Sequence, residues 1–200
     1  PSILVDNRKG LRWLGQYTYD NVWRVPDRSP AYDQLPAGVS IRQGFAQPGD
    51  YVEDRLRVLR SDLSYDFNPA WSLRWVASRR EAAQDFDHYY LGTYCSAQGR
   101  TSTGASCSHR GQVRQSYAWQ QTENKTTSHT LDLTGRLDIA GMRHELLLGA
   151  DYTEGERAPR LFSTSASNGF VDPFNPVLNA QRPAQGAPTQ HNLHLGKGHA

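Results

Sequence analysis

The feature that most constrains this chain is a two-residue alternation that runs on both sides of Asn68-Pro69. Upstream, one set of alternate positions is largely apolar: Leu59, Ser61, Leu63, Tyr65 and Phe67. The positions between them are polar: Arg60, Asp62, Ser64 and Asp66. Because successive side chains of a β-strand point to opposite faces, this period predicts strands and not a helix. Residues 53–76 are therefore predicted to form a β-hairpin with one apolar and one charged face.

The same alternation recurs along the chain and predicts strands at residues 11–20, 55–67, 71–80, 129–139 and 143–153. In the last two strands the apolar positions are Leu131, Leu133, Leu137, Ile139, Leu146 and Leu148. A shorter alternation around Tyr117 and Trp119 indicates that parts of the polar stretch at 81–128 continue the strands. The secondary structure is therefore predicted to be all-β.

The connections between the predicted strands alternate between long and short. Residues 21–52, 81–128 and the region from 154 onward are polar and irregular, and the first and last are rich in proline. The turns at 68–70 and 140–141 are minimal. Antiparallel strands joined in this way place every short turn at one end and every long loop at the other. The pattern predicts an antiparallel up-and-down segment of a transmembrane β-barrel, incomplete, with about five or six strands, long external loops and short periplasmic turns. A soluble β-sandwich is the alternative.

Composition excludes two classes of protein. The net charge of +2 gives no electrostatic support for nucleic-acid binding. The chain has no apolar run long enough for a membrane-spanning helix, although barrel strands need only about ten alternating residues. A mean hydropathy of −0.71 is poor for a large dry core. Tyr65, Phe67 and Trp71, close to the short turn, predict an aromatic girdle at the membrane interface or, alternatively, a small cluster that closes the hairpin.

The two cysteines, Cys95 and Cys107, lie in a stretch rich in glycine, serine and threonine. They predict a disulfide that closes a short polar loop in an oxidising compartment, the alternative being an unrelated reduced pair. Neither cysteine has the histidine spacing of a zinc site.

Three stretches carry a more specific pattern: GDYVEDRLRVLRSDLSYDFNPAWSLRW at 49–75, SYAWQQTENKTTSHTLDLTGRLDIAGMRHELLLGADY at 116–152, and DPFNPV at 172–177. Together they closely resemble the barrel of TonB-dependent siderophore receptors over nearly the whole chain. The resemblance implies a receptor in the bacterial outer membrane that binds a ferric siderophore and imports it with energy from a TonB complex. It also implies contact with outer-membrane lipid, no cofactor of its own and no enzymatic activity.

The barrel of that family has about 22 strands around a plug. We therefore expect residues 1–200 to be a fragment of such a barrel domain that lacks the plug and the C-terminal barrel strands. The last ten residues, HNLHLGKGHA, fit the expected next strand poorly. A sheet with two open edges and a large apolar face is expected to aggregate in water.

The candidate ligand-binding residues are aromatic and arginine side chains of the long loops and the upper lumen: Arg79, Arg80, Tyr89, Tyr90, Tyr94, Tyr117 and Trp119. The alternative is that these residues pack the loops against one another. No metal site is predicted, because neither Asp85, Asp87 and His88 nor His191, His194 and His199 have a complete ligand spacing. No nucleophile, base and orienting group can be named, so an enzyme is not expected.

A second function is a soluble or surface-attached β-sheet domain that binds carbohydrate or protein through its long loops. The two functions differ in where the apolar face points. In a barrel wall Leu131, Leu133, Leu137, Leu146 and Leu148 face lipid and are exposed in the isolated chain, whereas in a sandwich they pack against a second sheet.

Overall fold

The computed structural model describes residues 1–176 and 182–199, and the side chains among these except those of 165–168. This part of the chain forms eight β-strands and one short 3-10 turn, Tyr32–Gln34. The strands are β1 Ser2–Asp6, β2 Leu11–Arg24, β3 Tyr51–Asn68, β4 Trp71–Tyr94, β5 Val113–Ile139, β6 Met142–Val171, β7 Gln190–His191 and β8 His194–His199. In the described residues no helix is long and apolar enough to cross a membrane.

All eight strands belong to one antiparallel sheet. β1 to β6 pair in chain order, and both β7 and β8 pair with β6. The sheet does not close on itself, since β1 pairs only with β2. The predicted fold class, an incomplete up-and-down barrel wall, is therefore confirmed, and three short terminal strands, β1, β7 and β8, add to the five that were predicted.

The apolar residues of five strands line up on one face of this sheet. Directly opposite one another across β2 to β6 lie Leu11, Tyr65, Leu73, Leu133 and Leu148. We call this the band face, and its apolar band comprises Trp13, Leu59, Leu63, Trp75, Leu131, Leu146 and Tyr152 together with that row. The opposite surface of the sheet is the polar face.

The apolar band is exposed, not packed. Leu59 is 59% exposed, Leu131 44% and Leu148 56%, and Leu137 and Leu146 are also exposed. The described residues contain no second sheet to cover them. This arrangement contradicts the sandwich alternative, because a sandwich core would bury these leucines.

The polar face is held together by ion pairs between neighbouring strands. Arg74 donates from Nε and Nη2 to the two carboxylate oxygens of Asp62, at 2.9 and 2.6 Å. Arg60 approaches the same carboxylate at 3.4 Å, and Arg136 approaches Glu145 at 3.4 Å. These charged residues share the polar face, and the pairs Arg74–Asp62 and Arg136–Glu145 each join two neighbouring strands.

The three short turns share one end of the sheet. The Pro69-Ala70 turn is closed by Asn68, whose Oδ1 accepts a hydrogen bond from the Ala70 amide at 2.8 Å. In the next turn Ala140 and Gly141 have φ values of 52° and 76°, as a two-residue type I′ hairpin requires. Residues 7–10 make the third turn, so the long connections at 25–50 and 95–112 and the described parts of the last connection, 172–176 and 182–189, lie at the opposite end.

The aromatics near the short turns are exposed and also contact their neighbours. The Tyr65 and Phe67 rings meet edge to face with centroids 5.1 Å apart. Trp71 lies over Gly135, where a Cβ would come within 2.4 Å of the indole ring. Gly135 is thus required for the close approach of Trp71 across β4 and β5.

The strands extend farther than the sequence predicts. β4 continues to Tyr94, β5 begins at Val113, and residues 154–171, which were expected to be loop, belong to β6. At 27 residues β5 is roughly 90 Å long, about three times the thickness of a bilayer core. Beyond the apolar band both faces of the strands carry mixed polar and aromatic residues, so the two-residue hydrophobic pattern is lost although the backbone ladder continues.

Both ends of the chain were predicted incorrectly. β1 was not expected, and the last ten residues were not expected to form a strand. Residues 190–199 nevertheless pair with β6 in a single register, with a gap at 192–193 opposite Ala158 and Pro159. Proline has no N–H to donate to the ladder, which accounts for the gap.

Candidate ligand-binding site

The pairing of β4 with β5 shows which face carries each predicted site residue. Its register runs unbroken from Trp71 opposite Gly135 up to Leu91 opposite Gln115. Odd-numbered residues of both strands therefore stay on the band face. Arg79, Tyr89, Tyr117 and Trp119 lie on the band face, whereas Arg80 and Tyr90 lie on the polar face. The predicted residues do not form one site.

Above the apolar band, three predicted residues form an aromatic cluster with Phe162 of β6. Tyr89 and Tyr117 have ring centroids 5.4 Å apart, and Trp119 stacks on Phe162 at 6.2 Å. Tyr117 has no exposed surface, and Tyr89 and Trp119 are also buried. In this arrangement the cluster is the core on which the long loops pack.

Arg182 joins two long connections to this cluster. Its Nη2 donates to Asp50 Oδ1 at 2.7 Å and to the Pro48 carbonyl at 3.1 Å, while Nη1 donates to Asp87. The guanidinium carbon also lies 5.6 Å from the Tyr89 ring centroid and 6.0 Å from that of Tyr117, within cation–π range. We call this group, Asp50, Asp87 and Arg182, the Arg182 clamp.

Both carboxylates of the clamp are further satisfied. Asp50 accepts hydrogen bonds from the Gln47 and Tyr89 amides at 2.8 and 3.1 Å. Asp87 accepts one from Gln185 Nε2 at 3.0 Å. The clamp thus fixes the connection at 25–50 and the segment at 182–189 against the outer part of β4.

Burial and charge set the protonation states around the clamp. Burial, followed by the neighbouring Asp87 carboxylate, raises the pKa of Tyr117 to about 12. Burial acts to lower the pKa of Arg182, but the hydrogen bond to Asp50 and the charges of Asp87 and Asp50 outweigh it and raise that pKa. Tyr117 is therefore a neutral phenol and Arg182 a cation throughout the physiological pH range.

On the polar face a hydrogen-bonded ladder crosses four strands. Arg24 of β2 donates to Asp54 of β3 at 2.5 Å, and Gln84 of β4 donates to the same carboxylate at 2.7 Å. Gln120 of β5 donates to Gln84 Oε1 at 3.3 Å. Burial opposes the shift, but the hydrogen bonds from Gln84 and Arg24 lower the pKa of Asp54, so this carboxylate is ionised at neutral pH.

A groove of about 480 Å³ lies beside this ladder. We call it the inner groove, and its polar lining includes Asp20, Arg80, Gln120, Thr122, Asn124 and Arg157. Among the described residues neither Arg80 nor Arg157 has a carboxylate within 4 Å. The groove thus presents two free cations on the face opposite the apolar band.

The remaining predicted residues are scattered. Arg79 pairs with Glu81 at 3.0 Å on the band face, and Tyr90 lies under the Arg28 guanidinium at 5.3 Å on the polar face. Tyr94 packs against a small loop core made by Val39, Phe45, Leu91, Val113 and Val171. Cys95 and Cys107 are joined by a disulfide in the second long connection, with Cα atoms 5.9 Å apart. Contact of the seven aromatic and arginine residues with a ligand stays a prediction.

The described residues contain no group of three potential metal ligands. Asp85 and Asp87 lie on the band face and His88 on the polar face, so the three cannot converge.

Sequence reasoning missed the residues that organise both surfaces. Asp50 and Arg182 lie in irregular, proline-containing connections. No repeating residue pattern in these connections indicates which residues they contact. Gln84, Thr122 and Arg157 lie in strands beyond the predicted ends. Extending the even-numbered register of 72–80 by a few residues would have placed Gln84 on the same face as Arg80.

No protein-family model matches the chain. Among curated proteins it is similar to the metal-pseudopaline receptor CntO of Pseudomonas aeruginosa PAO1, with 25% identity over 145 residues. CntO of P. aeruginosa UCBPP-PA14 matches at 24% identity over the same length. These matches cover 72% of the chain but only 18% of either receptor, so the chain spans less than a fifth of the length of these relatives.

Solved structures share the fold over almost the whole chain. The closed form of the ferric-catecholate import receptor Fiu from E. coli K12 has a TM-score of 0.70 at 14% identity and covers 100% of this chain and 29% of Fiu. The siderophore receptor PiuA from Acinetobacter baumannii has a TM-score of 0.68 at 17% identity, covering 98% and 29%. FpvA of P. aeruginosa in a pyoverdine–iron complex has a TM-score of 0.71 at 13% identity, covering 99% and 26%.

At these identities the structural matches establish the fold. The resemblance to the barrel of siderophore receptors is therefore confirmed at the level of the fold. CntO, Fiu and PiuA are named as receptors, in agreement with the expectation that the chain is not an enzyme.

Proposed function

We propose that this chain is part of the barrel wall of an outer-membrane receptor that binds a ferric siderophore and imports it with energy from a TonB complex. One observation carries the proposal: the sheet exposes a continuous apolar band on one face and matches siderophore-receptor barrels over nearly its whole length. The names of the matched receptors, which refer to siderophores and to a metal chelate, agree with this role.

The geometry implies an orientation. The apolar band would face lipid, with the short turns in the periplasm and the long connections outside the cell. In β5 the alternating stretch at 129–139 has the length of about ten residues that a tilted strand needs to cross a bilayer. The polar face would line the lumen, and the Arg182 clamp and aromatic cluster would lie above the membrane.

In this role the chain binds and guides its cargo without chemical catalysis. The ferric siderophore is the transported substrate and not a resident cofactor. Other parts of the receptor would supply the plug and the contact with the TonB complex.

The experiment is uptake of radioactive iron by bacteria that lack their own siderophore receptors and express the complete receptor containing this chain. We expect the receptor in the outer-membrane fraction and uptake of at least one ferric siderophore that stops when the TonB complex is deleted. Recovery of the protein in the soluble fraction, or absence of uptake for every ferric siderophore in a panel covering catecholates, hydroxamates and carboxylates, would overturn the proposal.

A further inference from the structure

The inner groove contains two arginines that the structure leaves without a counter-ion. Arg80 lies opposite Thr126 of β5, and Arg157 of β6 lies opposite Asn124 of the same strand. With neighbouring strands about 4.8 Å apart and residues about 3.3 Å apart along a strand, their Cα atoms are roughly 12 Å apart. Two arginine side chains can converge on one small group across that distance.

Three other arginines of the polar face are neutralised. Arg24, Arg60 and Arg74 each have a carboxylate within 4 Å. In the groove itself Asp54 is already held by Arg24 and Gln84, and Asp20 lies on β2, two strands away from Arg80. The β4 to β6 side of the groove therefore has two cations and no described carboxylate facing them.

A buried hydroxyl group that lacks a partner also indicates a ligand in the inner groove. Thr122 is only 4% exposed, lines the groove, and its Oγ1 has no hydrogen-bond partner among the described residues. A buried polar atom without a partner is costly, so a ligand that bonds to it is favoured. The amide of Asn124, two residues along the same face of β5, adds a further donor.

The surface between the arginines is open. Gly155, opposite Thr126, has nothing within 4 Å of the position that a Cβ would occupy. Ala82, next to Arg80 on the polar face of β4, is also small. Asn124 and Thr126 of β5 lie between the two arginines, and the small residues Ala82 and Gly155 beside them leave room for a compact anionic group.

The groove lacks the features that suit an aromatic ligand. None of the residues that line it is aromatic. Tyr90, on the same face, is ten residues farther along β4, roughly 33 Å away. Guanidinium groups pair in bidentate geometry with carboxylates, whereas catechol rings are held by stacking on aromatic side chains.

From these observations we infer that the inner groove is a subsite for the carboxylate groups of the transported chelate, bound by Arg80 and Arg157 with Thr122 and Asn124 as neutral partners. The inference rests on the proposed function and narrows its substrate class to ferric chelates that carry free carboxylates.

The test measures binding of two probes, ferric citrate and a ferric tris-catecholate, to the complete receptor purified in detergent. We expect ferric citrate to bind, and Arg80→Gln and Arg157→Gln each to weaken its affinity by about tenfold or more. Arg157→Lys should retain part of the affinity. The control Arg143→Gln changes an arginine of the polar face at the short-turn end and should leave the affinity unchanged.

Salt dependence provides a second readout. Wild-type affinity for ferric citrate should fall as salt is raised, and the Arg80→Gln/Arg157→Gln double variant should lose most of this dependence. Circular dichroism and heat-modifiable gel mobility verify that each variant is folded.

Three outcomes would overturn the subsite. They are binding of ferric citrate that neither arginine substitution weakens, binding of the tris-catecholate alone, and binding of neither probe. In each case TonB-dependent uptake of any ferric siderophore would leave the proposed function standing.

Discussion

Arg182 donates a hydrogen bond at 2.7 Å to Asp50, a carboxylate whose side chain has no exposed surface and which lies 132 residues earlier in the chain. The same guanidinium also contacts Asp87 on β4. Removal of one partner from a buried ion pair leaves an uncompensated charge, which costs more than the pair contributes when intact. The long-loop end of the molecule therefore depends on one arginine.

We predict that Arg182→Met lowers the stability of the long-loop end by about 3 kcal/mol, since it leaves two buried carboxylates without their cation. Hydrogen exchange of the Tyr89 amide, which donates to Asp50, measures the effect. As a control, Arg79→Met breaks an exposed pair with Glu81 and should cost about 1 kcal/mol or less. Equal effects of the two substitutions would contradict a special role for the clamp.

Adjacent leucines on opposite faces test the orientation of the sheet. Leu148 lies in the apolar band at 56% exposed, and Leu147 lies on the polar face at 68% exposed. If the band faces lipid, Leu148→Arg should destabilise the receptor in bilayers by about 2–4 kcal/mol, with Leu147→Arg nearly neutral. Urea-dependent folding into lipid vesicles measures both. A larger loss for Leu147→Arg would reverse the assignment of the faces.

The Tyr117 phenol should titrate late because burial raises its pKa to about 12, and burial also raises the pKa values of Tyr51 and Tyr89. A folded-state pKa above the unfolded value of about 10 means that its stabilising contribution is complete below pH 10 and is lost as the pH rises toward 12. Ultraviolet absorbance at alkaline pH, compared with Tyr117→Phe, should reveal one late-titrating tyrosine. Loss of an early-titrating tyrosine in that variant would contradict the prediction.

The β5 to β6 hairpin has an unfavourable residue at its first turn position. Ala140 has a φ of 52°, a conformation that asparagine and glycine adopt at lower cost. We expect Ala140→Asn to raise the free energy of unfolding by about 1 kcal/mol. Gly141→Ala, at a φ of 76°, should lower it by a similar amount. Chemical denaturation in detergent measures both free energies of unfolding. A loss of stability for Ala140→Asn together with a gain for Gly141→Ala would exclude the type I′ geometry.

Residues near the short turns were predicted most accurately from the sequence. Between Leu59 and Trp75 one face of the sheet is apolar and the other is polar, so the two-residue alternation is visible in the amino-acid sequence. Asp62 was placed on the charged face for the same reason, and there it pairs with Arg74 of the neighbouring strand. The alternating connection lengths also indicated that the short turns share one end.

Beyond the apolar band the sequence pattern did not predict the face of the sheet on which each residue lies. Tyr117 and Trp119 are buried on the band face beneath the long connections, an arrangement that fits the alternative in which these residues pack the loops, and their contact with a ligand stays a prediction. Their faces follow from the continuous register of β4 and β5, which begins inside the band and cannot be read from residues 81–128 alone.

By itself, the sequence determined the strand type, the apolar face and the end that carries the short turns, because a sheet with one apolar and one polar face imposes a local period of two on the residues. Only the tertiary structure decided the length of the strands, the pairing of residues 190–199 with β6, and the contacts of Arg182 and Arg157. Those features depend on which distant backbone supplies a hydrogen bond and which distant carboxylate comes within reach of a guanidinium. Neither long-range strand pairing nor long-range ion pairing produces a repeating pattern in the sequence, so neither can be predicted from the local sequence.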